Sequence, residues 1–263
     1  MKGLLAIYRR ELQSYFVSPI AYVVIGVFLI ASGLVYYFLL NRVIQVGFQM
    51  QMQGMRGGMP QDFDMPGQLL RAFIGFVGTY VIPFLIPLLT MGLYSEERKR
   101  GTMELLMTSP LSEIQIVMGK FLASLSLFVL MLALTFIYQV ATRSFSDPKL
   151  PWKIILCAYL GATLLGASLL SLGAWVSSLT ENQIIAAVVT FVGALLLLLL
   201  NVLISDVGSK TGEVLQYLSI LNHFDDFAKG VIDTTSLVYY LTVIALGLFL
   251  TLRTLDSMRW RRA

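Results

Sequence analysis

The chain is short of charge. Of its 263 residues 13% are Asp, Glu, Lys or Arg, against 57% hydrophobic, and the mean hydropathy is +0.78. A soluble domain carries about a quarter charged residues to clothe its surface, so this shortage excludes an ordinary soluble fold. There is one cysteine, Cys157, which allows no disulfide framework, no Cys-x-x-Cys and no zinc spacing. There is one histidine, His223, and the apolar runs hold almost no ionisable groups. Ion-coupled transport needs carboxylates or histidines at mid-membrane depth, and that class has no support here. The net charge of +4 is not gathered into a basic patch with interleaved aromatics, which argues against a nucleic-acid partner.

What the chain does have is long apolar runs. A bilayer core of about 30 Å takes roughly 20 helical residues. Six stretches qualify, at 19–40, 72–94, 121–141, 154–179, 184–204 and 237–252, the last borrowing Thr235 and Ser236. The expected fold is therefore an all-α polytopic membrane protein with six transmembrane helices. Lys2, Arg9 and Arg10 precede a run too long for a signal peptide and without a small-residue cleavage site, so 19–40 reads as a retained first span. Ser18-Pro19 reads as an N-cap with proline at the first helical position. Ser112-x-x-Gln115 and Thr180-x-x-Gln183 match the capping box ahead of spans three and five.

Lys and Arg set the orientation. With the N-terminus inside, the inner segments hold Lys2, Arg9, Arg10, Arg98, Lys99, Arg100, Lys120, Arg253, Arg259, Arg261 and Arg262, eleven of nineteen, over short loops. The positive-inside rule then places both termini in the cytoplasm. Residues 1–17 carry Leu4, Leu5, Tyr8, Leu12, Tyr15 and Phe16 at helical spacing, the pattern of an amphipathic helix lying in the interface.

Catalytic signatures are weak. His223 has Asp225 nearby but lies in an outer loop, and a satisfied polar residue at a helix end accounts for it. Gly166-Ala-Ser168 has no histidine within a span to activate the serine. Gly208-Ser-Lys210-Thr211 lacks the contiguous Gly-Lys-Ser/Thr and the strand that a phosphate loop requires. ATP energy, if used, must come from another polypeptide.

The densest charge is Glu96-Glu-Arg-Lys-Arg100, followed by Gly101-Thr-Met-Glu-Leu-Leu-Met-Thr-Ser-Pro110. Span two is expected to run on through it, with Glu96 and Arg100 paired at i,i+4. Gly101 supplies a left-handed C-cap, Thr102 an N-cap, and Glu104 a carboxylate near the next helix's positive end. The two-turn helix that follows, ended by Ser109-Pro110, is too short to be stable alone. It is expected to expose Met103, Leu105, Leu106 and Met107, so it needs something to pack on. A plain loop obeying the positive-inside rule is the alternative.

Leu85-Ile-Pro-Leu-Leu-Thr-Met91, Glu96-Glu-Arg98 through Pro110 and Ile116-Val-Met-Gly-Lys120 resemble the permease subunits of ABC-2 type transporters. Ser177-Ser-Leu-Thr-Glu-Asn-Gln183, Leu218-Ser-Ile-Leu-Asn-His-Phe224 and Gly230-Val-Ile-Asp233 look most like the gliding-motility-associated branch. The resemblance implies a multi-pass permease of the bacterial cytoplasmic (inner) membrane, with a cytoplasmic N-terminal interfacial helix. It implies pairing with a second permease copy or a paralogous permease, and with separate ABC ATP-binding subunits. ATP and Mg would be held by those subunits, with no cofactor and no enzymatic activity in this chain. It implies that 102–108 is the coupling helix. Glu96, Glu97, Arg98, Gly101, Thr102, Glu104, Leu105, Leu106 and Pro110 would then form the ATPase-coupling element.

Conformational change would be rigid-body rocking of two permease halves. Pro83 and Pro87, four apart in span two, are either a hinge or a fixed kink. The Met-rich outer loop, with Met50, Met52, Met55, Met59 and Met65, is either a flexible contact segment or a soft-metal site. The loop 205–236 has the spacing of short helices at the outer leaflet, which line an exit path or cap the bundle. Two functions stay open: ATP-driven transport, with export favoured, and mechanotransmission, in which ATPase cycles drive an extracytoplasmic accessory protein and nothing crosses. An ATP-independent channel or enzyme is the third class.

Overall fold

A computed structural model describes residues 2–54, 64–107, 111–147, 149–203, 217 and 219–260. Pro110, Met55, Met59, the 208–211 segment and most of 205–218 lie outside the described residues. Among the described residues every element is helical. In chain order these are α1 (Lys2–Val17), α2 (Pro19–Gly54), α3 (Met65–Phe76), a π-helical turn (Val77–Val81), α4 (Ile82–Thr90), α5 (Ser95–Lys99) and α6 (Thr102–Met107). They continue with α7 (Glu113–Phe145), α8 (Trp152–Leu179), α9 (Gln183–Leu203), α10 (Ile220–Ala228) and α11 (Thr234–Trp260).

Five helical segments among the described residues are long and apolar enough to cross a membrane: Ala21–Met50, Met65–Lys99, Glu113–Phe145, Trp152–Leu179 and Thr234–Met258. A shorter apolar helix covers Gln183–Leu199. Several helices outrun the expected spans because caps, rather than the bilayer edge, decide where they start. Asp64 accepts the Gly67 N–H at 3.0 Å and starts α3 seven residues before the expected Ala72. Ser112 and Gln115 complete a capping box that starts α7 at Glu113, eight residues before Phe121. The expected Thr180 box does not form. Thr180 Oγ1 instead accepts the Asn182 N–H at 3.1 Å, and Asn182 Oδ1 accepts the Ile184 N–H at 2.9 Å, so Asn182 caps α9.

α8 is the axis of the bundle and packs against α4, α7, α9, α10 and α11. Small residues permit this closeness. A Cβ on Gly161 would stand 2.3 Å from Phe227 Cβ of α10, and one on Gly173 would stand 2.5 Å from Thr90 Oγ1 of α4. α2 lies at the periphery, with 11% of its apolar window buried against 72% for α8. α1 packs along α7, with Ile7 buried against Gly119 and the Tyr8 and Tyr15 hydroxyls each 3.0 Å from Ser126 and Ser124. Burial pushes the Tyr15 phenol up to about 12.

Span two departs from a simple helix twice. At Val77–Val81 the ladder widens by one residue, and the Ile82 N–H bonds to the Val77 carbonyl. Pro83 follows at once, where a regular helix would force its ring against the carbonyl four residues back; the wider turn moves that carbonyl away. The second departure, at residues 91–94, sets up the candidate site.

Candidate functional site

The charged segment does not continue span two. α4 ends at Thr90, a turn covers 91–94, and α5 begins afresh at Ser95. The cause is tertiary. Ser177 of α8 accepts the Tyr94 and Ser95 N–H groups at 3.2 and 3.3 Å and donates to the Met91 carbonyl at 3.1 Å. One hydroxyl thus satisfies backbone groups on both sides of the break, and Ser95 Oγ also donates to the Met91 carbonyl. The Leu93 carbonyl takes a bond from Lys120 Nζ at 2.9 Å. Two segments 83 residues apart in sequence therefore build one corner.

Lys120 is the centre of that corner. Its side chain is 2% exposed, and its ammonium lies 3.1 Å from Glu11 of α1 and 3.1 Å from Glu97 of α5. Arg10 bridges the same carboxylates, at 2.6 Å to Glu11 and 3.0 Å to Glu97. Two acids and two bases make a neutral quartet, in which the half-exposed Arg10 balances the largely buried Lys120, Glu11 and Glu97 from the solvent side. Burial opposes the charge on Glu11, but Lys120 and Arg10 outweigh it and hold the carboxyl below its ordinary value. On the other side of α5, Arg98 donates to the Ser178 carbonyl at 2.7 Å and meets Glu181 at 3.4 Å. Glu96 and Arg100 form the expected i,i+4 pair on the exposed face.

The expected site residues thus divide. Glu97 and Arg98 are fasteners that hold α5 to α1, α7 and α8. Gly101 has φ +70°, the left-handed geometry expected of it, and turns the chain into α6. Thr102 is the first residue of α6, and its hydroxyl donates to the Glu97 carbonyl at 3.3 Å.

The expected exposure of α6 is corrected in part. Met103 and Leu106 are buried at 5% and 7%, packed with Ile7, Leu93, Tyr94 and Ile116. Residues three apart share a helix face, and that face closes onto the bundle. Glu104 and Leu105 lie on the opposite face, with Leu105 73% exposed. An open cleft of about 670 Å³ between α1, α5 and α6 is lined by Glu11, Glu97, Thr102 and Leu106 among others. α6 is therefore seated by Met103 and Leu106 on the corner and has Leu105 on its exposed face.

Sequence reasoning missed Glu11 as a partner and read Lys120 as a topology charge and as the end of the Ile116–Lys120 resemblance block, without the carboxylates it meets. The available signal was a lysine one residue before a long apolar run, which only a carboxylate from elsewhere could neutralise. At the opposite end of the bundle His223 is a packed residue. Its ring nitrogens lie 3.1 Å from Ser236 Oγ and 3.0 Å from the Tyr217 carbonyl, and the ring stacks on Tyr239 at 4.2 Å. No group of three His, Cys, Asp or Glu residues that could hold a metal ion occurs among the described residues.

A family model described as ABC-2 family transporter protein matches residues 5–255. No curated protein matches the chain.

Proposed function

Because the chain belongs to the ABC-2 transporter family, we propose that it is the membrane-spanning permease subunit that couples ATP hydrolysis by separate ABC ATP-binding subunits to transport, in the direction of export. The observation that carries this reading is α6. It is a two-turn helix that cannot hold itself together, fixed by Met103 and Leu106 to a braced corner while Glu104 and Leu105 face away from it. A helix so mounted transmits force in both directions, because the corner behind it is tied to α1, α7 and α8 at once.

In this reading α6 is the coupling helix and seats in a groove of the ATP-binding subunit, which holds ATP and Mg. The permease has six spans, α9 included, with both termini in the cytoplasm and α1 lying in the inner leaflet of a bacterial cytoplasmic membrane. It works beside a second permease. Its branch is that of the gliding-motility-associated permeases. Pro83 and Pro87, above the corner, sit where span two bends as the two permease halves rock.

The test is a tagged preparation from native membranes. An ABC ATP-binding subunit should co-purify, and the complex should hydrolyse ATP at a rate that responds to the transported compound after reconstitution. Recovery of a chain that is active without any ATP-binding subunit would contradict the proposal. A hydrolysis rate answering only to an extracytoplasmic accessory protein would favour mechanotransmission over export.

A further inference from the structure

We propose that α10 is a detent on span two: while Phe224 rests on Gly78 the π turn cannot change register, and span two re-registers only when α10 lifts. This rests on the reading above that span two bends near Pro83, and it names what holds the bend from the outer end of the bundle.

The π turn at Val77–Val81 holds one residue more than a regular ladder takes. Such an extra residue is not tied to its place. It can pass to the next turn by exchange of hydrogen bonds, and each residue it passes moves by one position, about 1.5 Å along the axis and about 100° round it. Toward the cytoplasm Pro83 opposes this, because in a regular ladder its ring would meet the Thr79 carbonyl. Toward the outside the backbone raises no such obstacle, since α3 has no proline beyond Pro66.

The obstacle on that side comes from another element. Gly78 is buried within the π turn, and a Cβ on it would stand 2.5 Å from Phe224 Cε1 and 2.7 Å from Cζ. Its neighbours Val77 and Thr79 are both β-branched. A slip of one residue in either direction therefore turns a branched side chain onto a ring that has no room for a bare methyl group. The ring itself is held. Phe227 of the same helix packs on Gly161 of α8, the Tyr240 hydroxyl donates to the Ile220 carbonyl at 2.8 Å, and His223 is tied to Ser236 and to the Tyr217 carbonyl. A seated α10 and a shifted π turn thus exclude each other. Span two continues through α4 to the corner at residues 91–94, so motion begun there reaches the outer end as a lift of α10, and a clamp on α10 stops it.

Fluorine resonance tests this. The Phe76 and Tyr80 rings pair at 4.8 Å across the π turn, so 4-fluorophenylalanine placed at Phe76 senses its register. The resting permease should give one resonance. Phe224→Ala should add a second of comparable area, and Phe224→Leu, which keeps the bulk on Gly78, should not. In the complex with ATP-binding subunits, ATP, Mg and vanadate should produce the same second resonance. Gly161→Cys with Phe227→Cys, in a Cys157→Ala background, should abolish it when oxidised and restore it on reduction. A single unchanged resonance in Phe224→Ala would overturn the detent, as would a nucleotide-driven second resonance with the clamp oxidised. The Phe224→Ala arm uses the permease alone, so it decides the detent even if failure to recover an ATP-binding subunit contradicts the function proposed above.

Discussion

Lys120 of α7 and Glu97 of the charged helix α5 stand 3.1 Å apart. Removing one partner of a buried pair costs about 3–5 kcal/mol, because the other charge is left in a poorly hydrated place. Lys120→Met should therefore lower stability by about that much, read as a large drop in melting temperature of the purified permease. The triple change Glu11→Gln, Glu97→Gln, Lys120→Met removes the three buried charges together and leaves only the half-exposed Arg10, so it should recover most of the loss. Equal destabilisation by the single and triple variants would show that packing, not charge, dominates here.

Acid should release α1 first. The Glu11 carboxyl is held below its ordinary value of 4.5. A depressed carboxylate contributes stability that is fully present above the ordinary value and is lost as pH falls through the depressed one. Protection of the α1 amides from hydrogen exchange should persist from neutral pH to about 4.5 and then fall before the spans lose theirs. Glu11→Gln should lower protection at neutral pH and flatten this dependence. An unchanged pH profile in that variant would assign the transition to another group.

Ser177→Ala deletes the hydroxyl that satisfies Tyr94, Ser95 and Met91 at the helix break. The expected cost is about 1–3 kcal/mol, from backbone groups left without partners. The sharper expectation is functional: α5 and α6 should lose their fixed posture, so ATP hydrolysis persists while coupling to transport falls several-fold. Wild-type coupling in Ser177→Ala would show that the break holds without its tertiary cap.

Much of this architecture could be read from sequence because it is local. Apolar run length pointed to five helices long and apolar enough to cross a membrane and to the shorter apolar α9, Ser112 and Gln115 gave the start of α7, and Gly101 gave the left-handed turn. Each depends on residues within one helical turn. The misreadings have the opposite character. The break at residues 91–94 is imposed by Ser177, more than eighty residues away. Lys120 finds its carboxylates on α1 and α5, and the burial of Met103 and Leu106 depends on a corner that only the folded bundle supplies. The π turn before Pro83 was invisible because a widened ladder has no composition of its own.

The far end of the bundle offers an independent check on packing. A Cβ on Gly161 would meet Phe227, and one on Gly78 would stand 2.5 Å from Phe224 Cε1. Gly161→Leu should displace α10, at about 1–3 kcal/mol for an overpacked contact. Faster proteolysis of the 217–236 region with unchanged binding of the ATP-binding subunit is the expected readout. Loss of that binding would mean that α10 and the Lys120 corner are more tightly linked than their separate contacts indicate.

The central claim is that the outward face of α6 engages the ATP-binding subunit while its inward face holds the permease together. Changes at the two faces should therefore separate. Leu106→Asp should destabilise the permease itself. The most direct measurement is co-purification of the ATP-binding subunit with Leu105→Asp and Glu104→Arg, with membrane insertion and melting temperature monitored in the same preparations. The account predicts loss of the subunit, or hydrolysis uncoupled from transport, in a permease that inserts and melts normally. Full retention of both binding and coupling in the double variant would contradict it.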